Sequence, residues 1–165
     1  AFFEETINKS RFIAHAAAVG TQAESLAFYE SVADPQATHN CWAWRIGYQV
    51  RSSDDGEPSG SAGRPILHHL RGSGACDGLV VVTRWFGGTK LGTGGLVQAY
   101  SEAAHLALEA AGRTRIERRI PLRLRFEYPD LGAVESIQRA RDLAPDEPYY
   151  TRQLERFSVP EPATE

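Results

Sequence analysis

The chain has 165 residues, of which 42% are hydrophobic and 24% charged, so it is long enough for one domain with a sizeable core and a small second one. Its formal net charge of −3 excludes a strong overall attraction to nucleic acid. The sequence has no long apolar run of membrane-spanning length and no secretory pattern at its N-terminus. Two cysteines far apart in the sequence predict reduced thiols, and together these features predict a cytoplasmic protein.

The first part of the chain predicts two strands with a helix between them. Residues 9–19 are typical of a strand, and Thr21, with a glutamate three residues later, predicts a capped helix start. Residues 41–47 alternate in the way of a strand and place Trp42 and Trp44 on one face. Two tryptophans in a stripe are able to stack on bases, but a strand this apolar favours burial in a core.

A long loop rich in glycine, proline and serine is predicted over residues 54–65. Pro65 suits the first turn of a short helix that extends to Leu70. His68 and His69 follow on that helix; as neighbours they face different directions, so we interpret them as surface or packing residues. The loop begins with three carboxylates that offer oxygen ligands for a hard cation, although their spacing is not that of an EF-hand and a solvated acidic turn also fits. These carboxylates are Asp54, Asp55 and Glu57.

A glycine-rich stretch over residues 84–95 is the strongest candidate for a binding site. It joins an apolar strand, predicted over residues 79–82, to a helix predicted from Leu96 to about Ala111. Glycine permits positive φ angles and close approach of the backbone, and a helix N-terminus presents unpaired N–H groups and a positive dipole end. Such a place suits an anion.

The spacing of these glycines matches neither a Walker A loop nor a dinucleotide-binding fingerprint. A tight turn that lets the helix pack closely on the sheet explains the glycines as well as an anion site does, and the flanking basic residues favour the anion. The candidate anion-binding residues are Arg84, Gly87, Gly88, Lys90, Gly92, Thr93, Gly94 and Gly95, together with Arg64 and Ser59 from the acidic loop. No catalytic residue, cofactor or definite metal ligand is predicted.

The last part of the chain predicts a second module. Residues 112–119 form a basic connector, and residues 120–128 alternate as a half-buried strand. A short helix capped by Asp130 and an extended piece within residues 149–159 follow, an order that suggests the front half of a split βαβ unit. We therefore expect two domains, at residues 1–118 and 119–165.

Four segments of the sequence resemble the YigZ/IMPACT family. They are KSRFIA at 9–14, HNCWAWRIG at 39–47, RSSDDGEPSGSAGRPIL at 51–67 and VVTRWFGGTKLGTGGLVQAYSEAA at 81–104. The resemblance implies an α/β (α+β) protein whose first domain has the βαβ topology of a domain of elongation factor G and of a small-subunit ribosomal protein. It also implies a ferredoxin-like second domain, which is only partial here because the chain after the connector is short.

The resemblance favours a non-enzymatic, translation-associated binding protein that contacts RNA or ribosomal phosphate through the glycine-rich loop and its basic residues. One alternative is a metal-assisted phosphoester or nucleotide hydrolase, in which the acidic loop faces Arg84 and Lys90 across one cleft. His39 and Cys41 lie on the same predicted strand, and the alternation of a strand does not reliably place a base against a nucleophile, so they do not support this alternative. Another alternative is a protein-interaction regulator of translational control. The oligomeric state stays open.

Overall fold

The computed structural model describes residues 1–115, 119–124, 126–141, 143 and 155–160. The chain divides into two units, Ala1–Arg113 and Thr114–Glu165, so the division falls five residues before the boundary expected from the sequence. None of the helices in these residues combines the length and apolar character needed to cross a membrane.

The first unit is built on a five-stranded sheet. Its elements are β1 (Phe2–Ile7), β2 (Ser10–Ala17), α1 (Gln22–Val32), β3 (His39–Ile46), β4 (Gln49–Ser53), α2 (Gly63–Gly72), β5 (Asp77–Trp85) and α3 (Gly92–Ala111). The strand order is β1-β2-β5-β3-β4, and every neighbouring pair is antiparallel. Strands β2 and β3, which α1 connects, therefore run in the same direction with β5 between them. The expected mixed α and β class is confirmed.

The alternation of each strand distributes its side chains between two hydrophobic clusters. On one face of the sheet, alanines, valines and other apolar residues of β2, β3 and β5 pack with α2 and α3. On the other face, Trp44, Leu79 and Val81 pack with residues of α1, and Trp42 lies against the same cluster. The core interpretation is confirmed for Trp44, which is buried, whereas Trp42 is only half-buried at the edge of this cluster.

Local capping chemistry sets the ends of two helices as the sequence predicts. The Glu24 N–H donates to Oγ1 of Thr21 at 3.2 Å, and the Glu24 carboxylate accepts from the N–H of Gly20 at 2.8 Å. Helix α3 ends at Ala111, and Gly112 follows with a φ of 66°.

Other boundaries differ from the sequence prediction. Helix α3 begins at Gly92 and not at Leu96. The sequence prediction started the helix too late because the three glycines in its first turn have low helix propensity. Strand β5 continues to Trp85 and includes Thr83 and Arg84, whose buried polar groups have partners on other elements. Strands β1 and β4 were missed because they are edge strands with too few apolar residues for a clear alternation.

The second unit contains β6 (Arg119–Leu124), a 3-10 turn (Tyr128–Asp130), α4 (Leu131–Ala140) and β7 (Glu155–Pro160). The predicted order of strand, helix and strand is present, and β6 ends four residues before the predicted strand does. Strands β6 and β7 pair directly and antiparallel. In a split βαβ unit the two strands that flank the helix are parallel and separated by a third strand, so β6 and β7 are not the two parallel strands of one such unit.

Two glycines of the glycine-rich stretch predict opposite effects on stability. A Cβ atom at Gly87 would lie 1.8 Å from the carbonyl oxygen of Lys9, whereas a Cβ at Gly94 would have nothing within 4 Å. We expect Gly87→Ala to lower the free energy of unfolding by at least about 2 kcal/mol, because the turn between β1 and β2 has to move. We expect Gly94→Ala to raise it by up to about 1 kcal/mol, because alanine favours the helix.

Urea unfolding of the two variants beside the parent chain measures both effects. Equal midpoints for Gly87→Ala and Gly94→Ala would contradict the close contact at Gly87.

Candidate functional site

The acidic loop and the glycine-rich stretch meet at a buried ion pair. Arg84 Nη1, at the end of β5, lies 2.6 Å from Oε1 of Glu57 in the loop. Only 5% of the arginine side chain and 3% of the glutamate side chain are exposed. The two loops are therefore joined in space, and the charge of Arg84 is paired inside the protein.

Tyr100 of α3 completes the environment of this pair. Its hydroxyl donates to the same Glu57 oxygen at 2.8 Å, and the side chain is fully buried. Burial is the largest cause that raises the pKa of Tyr100, and the neighbouring Cys41 and Glu57 raise it further. The hydroxyl therefore stays protonated and acts as a donor to the carboxylate.

Cys41 lies in the same buried cluster but is not an activated nucleophile. Its sulfur lies 3.0 Å from the carbonyl oxygen of Asp54 and 3.4 Å from the hydroxyl oxygen of Tyr100. Burial raises the pKa of the Cys41 thiol to about 12, with smaller contributions from the nearby carboxylates, while the Tyr100 hydrogen bond lowers it. A thiol that stays protonated at neutral pH is a poor nucleophile.

His39 does not serve this thiol as a base. Its Nδ1 lies 2.7 Å from the carbonyl oxygen of Asp55, which accepts only from an N–H, so the Nδ1–H form is present. Its Nε2 lies 3.8 Å from Oε1 of Glu57. Both ring nitrogens thus face groups of the acidic loop, and the ring supports the shape of that loop.

The remaining contacts of Arg84 connect the ion pair to the glycine-rich stretch. Nη2 donates to Oγ of Ser10 at 3.2 Å, and the same oxygen lies 3.4 Å from the backbone nitrogen of Gly87, which donates to it. The guanidinium carbon lies 5.5 Å from the ring centre of Phe86 and 5.6 Å from that of Phe12. Nε of Arg84 is buried without a hydrogen-bond partner. Arg84 therefore holds the start of the glycine-rich stretch in place from the protein interior, through Ser10.

The other two carboxylates of the acidic loop also bind backbone groups. Asp54 accepts from the N–H groups of Gly60, Ala62 and Gly63, at 2.7 to 3.0 Å, and so occupies the N-terminus of α2. Asp55 accepts from the N–H of Asn40 at 2.5 Å. In the part of the chain that the structure describes, no group of three His, Cys, Asp or Glu side chains is placed to hold a metal ion. Asp54 and Asp55 are therefore both engaged with backbone groups of the protein.

The N-terminus of α3 has no comparable side chain. Leu91 is its capping residue and makes no side-chain hydrogen bond, and the first turn contains no acidic residue. Lys90, Thr93 and Gly94 are exposed there. Gly88 and Gly92 have φ angles of 86° and 72°, which set the path of the backbone into the helix. The first turn of α3 therefore presents bare backbone N–H groups beside a lysine.

The structure distributes the predicted site residues over several separate places. Glu57 and Arg84 come together inside the protein, and Asp54 closes the start of α2. Ser59 and Arg64 are exposed in and just after the acidic loop, and the candidates from Gly88 to Gly95 lie at the open start of α3. Gly87 is held against the β1–β2 turn.

Three residues of the site were not predicted, namely Ser10, Phe86 and Tyr100. Tyr100 carried a usable signal, because a tyrosine on the alanine-rich buried face of a helix needs a partner for its hydroxyl. Ser10 and Phe86 carried none, because their roles depend on contacts with β5 and Arg84.

This fold and site match a known class of domain. The family model described as the Impact N-terminal domain covers residues 8–108, a span that contains β2 to β5 and both loops. The chain belongs to the IMPACT family, as its sequence segments predict.

Relatives in three bacteria agree with this assignment. An IMPACT family member in the pol 5′ region of Thermus thermophilus is 45% identical over 143 residues, which is 87% of this chain and 79% of the relative. YvyE of Bacillus subtilis (strain 168) is 38% identical over 159 residues, 92% of this chain and 72% of the relative. YigZ of Escherichia coli (strain K12) is 42% identical over 143 residues, 81% of this chain and 69% of the relative.

A crystal structure described as that of a hypothetical protein is 37% identical in sequence, with a TM-score of 0.73. The match covers 96% of this chain and 81% of the other, so it extends over both units.

Loss of the buried ion pair should strongly destabilise the first unit. We expect Arg84→Met to lower the free energy of unfolding by about 3–5 kcal/mol, because it leaves the Glu57 carboxylate buried without its charged partner. The double variant Arg84→Met/Glu57→Leu should lose less than the sum of the single losses. Urea unfolding of the four chains gives the coupling directly.

The matched control is the pair of Arg11 and Glu4, which also lies at 2.6 Å but is half exposed. Arg11→Met should change stability by only a small fraction of the effect at Arg84, because water screens an exposed pair. Similar losses at the two sites would contradict the role given to burial.

Asp54 should make the stability of the first unit depend on acidic pH. Burial acts to raise the pKa of Asp54, but the three backbone hydrogen bonds and Arg64 outweigh it, so the pKa is lowered. The unfolded chain, with an ordinary aspartate pKa of about 3.9, then binds the proton first. The stabilisation is therefore complete above that value and is lost as the pH falls through the lower, folded-state pKa.

We expect Asp54→Asn to lower the free energy of unfolding at pH 7 by about 1–2 kcal/mol and to approach the parent chain at acidic pH. Urea unfolding across a pH series checks this, with Glu102→Gln on the exposed side of α3 as a control for the loss of one carboxylate. A constant gap between Asp54→Asn and parent at every pH would refute the assignment.

Proposed function

We propose that the protein is a non-enzymatic binding protein of the translation apparatus, and that it contacts RNA or ribosomal phosphate at the start of α3. The observation that carries this proposal is the difference between two helix starts in one unit. Asp54 occupies the N-terminus of α2 with a carboxylate, whereas the N-terminus of α3 has neither a side-chain cap nor an acid in its first turn.

The chemistry of the open helix start fits a phosphate group. Unpaired N–H groups and the positive end of the helix dipole attract an anion, and the exposed Lys90 adds a full charge. Gly92 and Gly94 leave the backbone bare, since a Cβ at either position would have nothing within 4 Å. A phosphate oxygen can therefore approach the backbone of this turn closely.

Arg84 contributes to this site from inside the protein. Its charge is paired with Glu57, and its second nitrogen holds Ser10, which in turn accepts from the N–H of Gly87. We therefore assign direct phosphate contact to Lys90 and the α3 backbone, and support of the loop to Arg84. Ser59, exposed in the acidic loop, and Arg64, exposed at the start of α2, remain candidates for further contacts.

The link to translation rests on the family. The segments that resemble IMPACT proteins contain both loops of the site, and the eukaryotic members of that family resemble regulators of translational control. We also infer that the arrangement of β2, α1 and β3 around β5 corresponds to the topology found in elongation factor G, and that the second unit is part of a ferredoxin-like domain. Both inferences favour a ribosomal or RNA partner.

RNA binding should depend on salt in a way that reports the contact at Lys90. We expect the full chain to bind single-stranded RNA with an affinity that falls steeply with salt concentration, by a log–log slope of about 0.7 per phosphate contact. Lys90→Ala should reduce that slope by about one contact. Fluorescence anisotropy with a labelled oligonucleotide over a salt series measures the slope.

Arg51→Ala is the matched control. Arg51 is exposed on β4 and lies opposite Trp44 in the strand register, so both residues are on the face of the sheet that packs against α1 and not on the face that packs against α3. The Arg51→Ala variant should leave the slope unchanged.

Gly94→Ala should weaken binding although it stabilises the helix, because the added methyl group lies where the phosphate approaches. A flat salt response, or equal effects of Lys90→Ala and Arg51→Ala, would refute the phosphate site. A complex captured from cell extract that survives nuclease treatment would point to a protein partner.

A further inference from the structure

Three of the five histidines of the chain lie together where α2 and α3 are neighbours. The ring centres of His69 on α2 and His105 on α3 are 5.6 Å apart, and the ring of His68 lies 5.6 Å from that of His69. Adjacent histidines on one helix face different directions, so the sequence suggested only surface or packing roles. The tertiary structure instead brings His105 from another helix to His69.

Two of the three histidines in this cluster, His68 and His69, have ring nitrogens that the described part of the fold does not use. In the described residues, no hydrogen bond reaches the ring of His68 or His69, although His69 is half-buried. The His105 ring lies beside Glu109, with 3.5 Å between Nε2 and Oε1. A carboxylate at Nε2 favours the proton there and leaves Nδ1 of His105 as a free electron-pair donor.

The separation of the two rings matches that of two ligands on one ion. With a zinc–nitrogen distance of about 2.0–2.1 Å and tetrahedral angles, the centres of two coordinating imidazoles lie about 5 Å apart. The observed separation of 5.6 Å is close to this value. Imidazole is a preferred ligand of zinc, copper and nickel.

We propose that His69 and His105 form a binding site for a divalent transition-metal ion of the zinc class, which bridges α2 and α3. No group of three His, Cys, Asp or Glu side chains in the described ranges is placed to hold one ion, so the chain supplies two nitrogen ligands and water supplies the rest. The carboxylate of Glu109 orients His105 from outside the coordination sphere. This site is separate from the phosphate site and does not depend on it.

Zinc titration of the full chain by isothermal calorimetry tests the proposal. The free, exposed thiol of Cys76 would itself bind zinc, so the parent for this experiment is the Cys76→Ser chain. We expect this parent to bind one Zn²⁺, to gain a higher unfolding temperature in its presence and to lose that gain when EDTA is added.

The variants His69→Gln and His105→Gln should each weaken zinc binding by at least about tenfold, since even partners outside the first shell are worth about 10–100-fold in affinity. His15→Gln, on β2, is the control and should bind like the parent. The proposal fails if the parent binds no zinc, or if His105→Gln binds as tightly as the parent. His105 is half exposed, so its variant gives a decisive result even if His69→Gln does not fold.

Discussion

A buried ion pair between Glu57 and Arg84 constrains the arrangement of the first unit. Glu57 comes from a loop without regular structure, Arg84 from a central strand, and Tyr100, which donates to the same carboxylate, from α3. Removal of either charge leaves the other buried without its partner, which costs far more than the loss of a surface pair. The acidic loop is therefore fixed against the sheet and α3, and its position in turn places Asp54 at the start of α2.

The two helices that follow the two loops begin in opposite ways, although one network positions both. Asp54 closes the start of α2 with three hydrogen bonds, while the start of α3 remains open to solvent beside Lys90. Cys41 and His39, near the ion pair, do not form a nucleophile and base. Burial keeps the Cys41 thiol protonated, and the His39 ring faces carbonyl and carboxylate groups. In this member of the IMPACT family, we therefore propose that a partner binds at the surface beside the open start of α3.

The fold was predictable wherever a local rule decides it. Thr21 predicted the start of α1, Gly112 the end of α3, and the alternation around Trp44 placed that residue in the core. Each of these signals lies within one element, since capping and periodicity involve residues a few positions apart. The two edge strands, β1 and β4, were not predicted because their sequences show no clear alternation and they are recognised only by their pairing with a neighbouring strand. The glycines at the start of α3 concealed a helical turn because their intrinsic propensity opposes it.

The sequence by itself determined the family, the two loops and most of the helices and strands, because these follow from short-range patterns. Only the tertiary structure decided what the site residues do. It paired Arg84 with Glu57 inside the protein, assigned Asp54 to a helix cap, and brought His105 to His69. The physical reason is that such partners are far apart in the chain, and no periodicity or propensity encodes a contact that only the packing of separate elements creates.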